Sequence, residues 1–275
     1  MQADKVEGGG GLLIHVEDHG NPYGPPILFI HGFSQCRLCW NKQVNSPLAD
    51  SHRLVTMDLR GHGRSEKPRD VYGDSALWAD DVAAVIKGLG LDRPILCGWS
   101  YGGAVICDYL RRYGEDAIGG INLVGAVSKL GDPVIPYLGE PFTSIIPGFF
   151  SENAEECSAT LQKFMRICVA AELAPEDFYF FLGYNMIVPP HVRYGLFART
   201  IDSDDLLAGL KSPVLISHGA DDAVVRLSMG EYHKQLMPRA ELSVYPGIGH
   251  TPFWEDPARF NAELTEFSRA AGNGG

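Results

Sequence analysis

Apolar residues fall along this chain in two kinds of run. Short, nearly continuous runs at 27–30, 95–97, 121–124 and 213–217 are too apolar to be half exposed. They predict central strands of a sheet covered on both faces. Less continuous runs at 12–16, 53–57 and 241–245 read as further strands. Between them the period changes. Leu77, Val82, Val85, Ile86 and Leu89 give an apolar stripe at helical spacing, which predicts a helix over 75–89 ended by Gly90. The pattern also predicts helices over 104–113, over 226–237 and from the last strand's loop to about 271. Strands alternating with helices make an α/β domain. Residues 1–11, with Gly8 to Gly11, read as a mobile tail.

The alternation stops from about 129 to 203. Aromatic and apolar pieces replace it: Pro141-Phe142, Ile145 to Phe150, Phe178 to Phe181 and Tyr184 to Val188. The stretch is too long for a structureless loop. It therefore carries structure of its own, and for any single aromatic a place in that structure's own core is the simpler expectation.

Composition narrows the function. With 45% apolar and 21% charged residues over 275 positions, the chain is an ordinary globular protein. The formal charge of −11 and the lack of a clustered basic surface argue against a nucleic-acid partner. No stretch of about eighteen apolar residues offers a membrane span. The opening residues lack the basic start and apolar centre of a signal peptide, so the expected location is the cytoplasm. Cys36 and Cys39 have the spacing of a redox or half-zinc pair, but no second pair accompanies them.

The chemistry gathers around Gly98-Trp99-Ser100-Tyr101-Gly102. An apolar run enters this Gly-x-Ser-x-Gly pentad and a helix leaves it, so Ser100 stands at the tip of a sharp strand-to-helix turn. Side chains two positions before and after the serine would collide, which accounts for the two glycines. The start of the helix aims free N–H groups and the positive end of its dipole at the hydroxyl. Two further motifs precede the pentad. The strand at 27–30 runs into His31-Gly32-Phe33-Ser34, and the strand at 53–57 runs into Asp58-x-Arg60-Gly61-x-Gly63-x-Ser65. The second loop is not a phosphate cradle: no Gly-Lys-Ser/Thr follows, and Glu66-Lys67-Pro68 opposes an immediate helix.

In this order and at these separations, the three motifs resemble the α/β-hydrolase superfamily, and within it the small serine esterases, lactonases and cofactor-free haloperoxidases or perhydrolases. The resemblance covers about 1–127 and 205–271. It implies an α/β-hydrolase fold: a mostly parallel central sheet with helices on both faces. Residues 1–127 and 205–275 would form the core, and 128–204 a helical cap inserted over the active site. Since the cap is poor in Lys and Arg, the expected substrate is apolar or aromatic.

A serine hydroxyl needs an adjacent base, and that base needs a third group to fix its tautomer. In this fold the chain order is serine, acid, histidine. His250, in a Gly-rich loop after the last strand, is the one of nine histidines with the right order and flanks. His218 and His62 lie in plausible loops but lack one or the other. The loop after Ile216 offers Asp221 and Asp222 as the acid. The resemblance favours Asp222, with Asp221 shaping the turn, and some relatives carry the acid one strand earlier, where Asp132 stands. It also implies that the N–H groups of Phe33 and Tyr101 form the oxyanion hole, with Gly32 allowing a close backbone approach.

The resulting expectation is a serine hydrolase acting on esters or lactones, with no metal or organic cofactor. Its partner would be a small ester-like molecule, and a homo-oligomer is compatible with the reading. Peroxide replacing water in a perhydrolase, and carbon–carbon bond hydrolysis of a dienoic ring-cleavage product, use the same residues. A serine at the elbow argues against dehalogenase or epoxide hydrolase chemistry, which in this superfamily places Asp there. A ligand receptor with little turnover is the alternative from another class.

Overall fold

The computed structural model describes residues 2–272; Met1 and residues 273–275, part of the expected tail and of the expected core, lie outside the described residues. In chain order the strands are β1 (Gln2–Glu7), β2 (Leu13–Gly20), β3 (Pro26–Ile30), β4 (Arg53–Met57), β5 (Ile95–Trp99), β6 (Gly120–Val124), β7 (Lys129–Leu130), β8 (Ile201–Asp202), β9 (Val214–Gly219) and β10 (Glu241–Tyr245). The longer helices are α1 (Ser75–Gly88), α2 (Tyr101–Tyr113), α3 (Ala154–Ile167), α4 (Pro175–Met186), α5 (Pro190–Phe197), α6 (Leu227–Leu236) and α7 (Pro257–Gly272).

Eight strands form one sheet in the order β1-β2-β4-β3-β5-β6-β9-β10. The pairs from β4 through β10 are parallel, and β2 and β1 run antiparallel at one edge. The continuous apolar runs are the inner strands: β5 and β6 are buried at every position. Helices cover both faces. Gly98 and Gly120 point to opposite faces, because Gly98 lies beside Leu123, three residues past Gly120. Ile106 of α2 packs over Gly98, and Phe267 of α7 packs over Gly120.

The amino end is not a tail. β1 pairs with β2 along its whole length, and Gly9 donates its N–H to Asp81 Oδ1 at 2.9 Å. Asp81 is fully buried and bound through both oxygens by Arg60, whose Nη2 also reaches Gly9 O at 3.0 Å. A Gly-rich stretch looks flexible in isolation; here its backbone satisfies a buried ion pair that the chain supplies some fifty to seventy residues later. The carboxyl end also differs from the expectation of one helix, since a short turn of helix, Pro252–Glu255, precedes α7.

Between β7 and β8 lie α3, α4 and α5 with short 3₁₀ turns. The two short strands pair antiparallel, and Lys129 binds Asp202 and Asp204 across their base at 2.9 and 2.5 Å. Local signals start these helices. The Asn153 side chain accepts from the N–H groups of Glu155 and Glu156, while Pro175 and Pro190 occupy first helical positions. Among the described residues no helix is long and apolar enough to cross a membrane.

Candidate active site

Ser100, Asp222, His250 and the His31–Ser34 loop all lie just beyond the carboxyl ends of parallel strands, where ligands bind in open α/β sheets. Ser100 has φ 55° and ψ −116°, a conformation uncommon for a residue with a side chain. The glycines of the pentad permit it. A Cβ on Gly102 would strike the carbonyl of Ile30 in β3, and one on Gly98 would meet Ile106 Cδ1 at 2.5 Å and the carbonyl of Gly102 at 2.9 Å. The turn is thus held tight partly by its own helix and partly by the neighbouring strand. Tyr101 opens α2, so its N–H has no intrahelical acceptor.

The structure brings Asp222 and His250 together. His250 Nδ1 lies 2.7 Å from Asp222 Oδ2, and Oδ1 accepts the N–H groups of Val224 and Val225 at 2.8 Å each. Asp222 is buried, which by itself raises a carboxyl pKa, but the facing His250 and His218 outweigh burial and hold it well below the usual carboxylate range. The histidine loop is fixed by β5: Trp99 donates its indole N–H to His250 O at 2.9 Å, and the two rings lie 5.4 Å apart. Glu255 accepts from Gly249 N–H and Thr251 Oγ1 at 3.0 Å, pinning both sides of His250.

The alternatives fall elsewhere. Asp221 is exposed and gives only its backbone N–H to Ile248 O at 3.0 Å, shaping the turn between the two loops. Asp132 is exposed on the wall of a cavity rather than bonded to His250. His62 is buried with its ring 5.0 Å from that of His31, and donates from Nδ1 to Arg60 O. His218 is nearer the Asp222–His250 pair than its sequence context suggests. Its Nε2 donates to Val225 O at 2.9 Å and stands 3.4 Å from Asp222 Oδ2, so it braces the Asp222 loop.

His31 Nδ1 donates to Gly32 O at 2.8 Å and Nε2 accepts from Leu59 N–H at 3.0 Å. Both ring atoms are therefore used by the neutral form, and full burial lowers the pKa to about 3. Gln35 N–H closes a turn onto Gly32 O at 3.3 Å, with Phe33 and Ser34 in its middle. A Cβ on Gly32 would lie 3.0 Å from Ser100 Cβ, the close approach the sequence predicts.

Above Ser100 opens a cavity of about 240 Å³, walled by Val127, Leu130, Val134, Phe142, Leu196 and Phe197 among others. Among the described residues, Asp132 is the one charged residue in its wall. A larger groove of about 590 Å³ lies near the opposite, amino ends of the strands, along Pro22 to Pro26, Arg93 and Gly119, away from these groups. The aromatics at 142–197 divide between two roles. Phe142 and Phe197 face the cavity, whereas Phe149 and Phe164 back the Phe33 ring at 5.1 and 6.2 Å and fill the helical segment's own interior.

Three residues escaped the sequence reading. Arg193 and Arg199 are buried and turned away from the cavity. Arg199 binds the Tyr101 hydroxyl at 2.9 Å and Asp108 at 2.5 Å. Arg193 reaches Ser34. Gly125 backs the Asp222–His250 pair, where a Cβ would sit 3.1 Å from His250 Nδ1. No local pattern in one sequence marks such residues. Cys36 and Cys39 are free and buried, and burial pushes the Cys36 thiol up to about 12.

The alpha/beta hydrolase family model matches residues 27–263. Among solved structures, the chain is similar to the esterase RhEst1 from Rhodococcus sp. ECU1013, with 39% identity, a TM-score of 0.92, and coverage of 98% of this chain and 100% of that one. It is also similar to a putative aryl esterase from Burkholderia cenocepacia, at 33% identity and a TM-score of 0.93 over 99% of this chain and 100% of that one. Among curated proteins it is 28% identical to the bifunctional esterase/perhydrolase DCH of Acinetobacter calcoaceticus, over 94% of this chain and 97% of that protein.

Proposed function

The chain belongs to the alpha/beta hydrolase family, and from that premise we propose that it is a serine hydrolase cleaving small carboxylic esters or lactones through an acyl-enzyme on Ser100. The observation that carries this reading is the buried Asp222–His250 pair at 2.7 Å, in the loops beside the strained Ser100 elbow. Fold alone would not suffice, since one fold hosts many functions.

In this reading Ser100 Oγ attacks the ester carbonyl while His250 Nε2 takes its proton. Asp222 accepts the Nδ1–H of His250, fixes its tautomer and stabilises the imidazolium that forms. The negative oxygen is held by the N–H groups of Phe33 and Tyr101, each contributing about 2.7–4 kcal/mol. His250 then protonates the departing alcohol, and water, activated in the same way, releases the acid. The helical segment between β7 and β8 acts as a cap that shapes the acyl and alcohol pockets.

The cavity wall supports an uncharged substrate with apolar or aromatic groups. It offers no cation, and its one charge, Asp132, disfavours a free carboxylate nearby. This favours neutral esters over a dienoic acid as substrate. A second reading, perhydrolysis by the same acyl-enzyme with peroxide in place of water, draws support from the bifunctional relative.

Intact-mass labelling with a small fluorophosphonate tests the nucleophile. A single adduct mapped to Ser100 and absent from Ser100→Ala is expected; no adduct on the wild type would reject the proposal and favour a receptor. Comparing ester turnover with acetate-dependent peroxide consumption then separates hydrolysis from perhydrolysis.

A further inference from the structure

Arg193 of α5 has no solvent contact, yet among the described residues no carboxylate pairs with it. Its Nε donates to Ser34 Oγ at 2.9 Å, Nη2 to Asn185 O at 2.8 Å, and Nη1 to Cys157 Sγ at 3.2 Å and Phe149 O at 3.5 Å. None of the four acceptors is a carboxylate. Burying a guanidinium without a counter-charge is costly, so holding two parts of the chain together is a poor reason to use one.

The group it touches explains the choice. Ser34 is buried at φ 62°, a left-handed conformation that costs a residue with a side chain and persists only where its surroundings impose it. Its neighbours in the turn are held from the same side. The Phe33 ring packs at 5.1 Å on Phe149 and 4.9 Å on Phe197, and Asn185 Nδ2 donates to Gln35 Oε1 at 3.3 Å. Three successive residues of the loop are thus gripped by the helical segment, not by the sheet that carries Ser100.

We propose that Arg193 is a positioning residue for this loop: it locks Ser34 in its left-handed conformation, thereby aims the Phe33 N–H at the reacting oxygen, and leaves its own charge unneutralised beside the site where negative charge develops. The proposal rests on the reading of Ser100 as nucleophile. It makes assembly of the oxyanion hole depend on the seating of α5. A mobile or displaced cap would then slow chemistry rather than merely loosen binding.

The test compares wild type with Arg193→Met, Arg193→Lys and Ser34→Ala on a p-nitrophenyl ester. Readouts are kcat, KM, thermal midpoint and affinity for an arylboronic acid, which adds to Ser100 and presents a negative oxygen to the same donors. Arg193→Met is expected to lower kcat on the order of 10²-fold and weaken the boronate comparably, with KM within about threefold. Arg193→Lys, which keeps the charge, restores about tenfold of the loss. Ser34→Ala lowers kcat about tenfold with little change in thermal midpoint, and it decides the matter if Arg193→Met does not fold. A kcat within about threefold of wild type in Ser34→Ala, or normal boronate affinity in folded Arg193→Met, overturns the proposal. A wild type that takes no fluorophosphonate on Ser100 overturns the nucleophile reading and this one with it, so the two failures are distinct.

Discussion

Two arginines, Arg60 in the core and Arg193 in the helical segment, are equally shut off from water and sit in opposite surroundings. Arg60 faces Asp81 through two hydrogen bonds of 2.7 and 2.8 Å and spends its remaining donors on the carbonyls of Val71, Leu77 and Gly9. Arg193 meets a hydroxyl, two carbonyls and a cysteine sulfur, and no carboxylate. The same contrast runs through the two regions. In the core, buried charge is compensated: Arg37 lies between Asp58 and Glu17, and Asp222 faces His250. The helical segment supplies apolar walls over the site and, apart from the compensated Arg199–Asp108 pair, one buried cation behind the Ser34 turn with no carboxylate partner. Compensated charge fixes the frame and the proposed triad; the segment sets shape and the local field.

Four measurements sharpen or break this division. The largest effect is expected where the core's charge serves the chemistry. Asp222→Asn should cut kcat on the order of 10⁴-fold, because it leaves His250 without the acceptor that fixes its tautomer. An Asp222→Asn enzyme with more than about a tenth of wild-type kcat would remove Asp222 from the proposed triad.

Next comes the frame. Asp81→Asn strands the Arg60 guanidinium and should cost about 3–5 kcal/mol of unfolding free energy, read by urea denaturation, while KM stays put in the folded fraction. The same change should raise hydrogen exchange over β1, whose following turn is tied to the core through Gly9 and Asp81. Unaltered protection of β1 would show that strand pairing alone holds the amino end.

The third effect is a pH slope. Burial lowers the pKa of His31 and of His233, whose Nε2 meets Ser128 Oγ at 2.9 Å, to about 3. In the unfolded chain each titrates near 6.5, so between about pH 6.5 and 3 the unfolded state binds protons that the folded state does not. Stability therefore falls as pH falls through that window, by up to about 1.4 kcal/mol per pH unit for each histidine. Asp222, held low, contributes fully above the ordinary carboxylate range and loses that contribution as the pH falls through it toward its own lower pKa. His233→Gln should flatten the slope between pH 6.5 and 4.5, followed by urea midpoints at several pH values; an unchanged slope would mean His233 is already charged in the fold.

The smallest effect belongs to the cavity mouth. Ile135 lines the cavity but is 56% exposed, so Ile135→Ala should leave stability within about 0.5 kcal/mol. Its effect should appear as a change of up to about tenfold in relative kcat/KM among esters of different acyl length. If instead kcat falls uniformly for every ester, Ile135 supports the proposed oxyanion loop and the division between shape and chemistry fails there.

Sequence reading reached furthest where a local constraint leaves a local mark. The strands 53–57 and 241–245 appear with those bounds for two local reasons: β4 is apolar and buried over most of its length, and β10, at the sheet's edge, alternates polar and apolar residues. The Gly98–Gly102 turn was legible for a local reason as well: close packing admits no side chain at either end. Asp222 and His250 were legible because their place in chain order, read with the family resemblance, leaves few candidates. Tertiary structure alone decided the rest. It paired the amino end with β2 as an edge strand and tied the Gly-rich turn after it to the Arg60–Asp81 pair, put His218 behind Asp222, and buried Arg193 against a serine 159 positions away. Burial and compensation of charge depend on which distant segments meet, and no periodicity along the chain encodes a meeting of that kind.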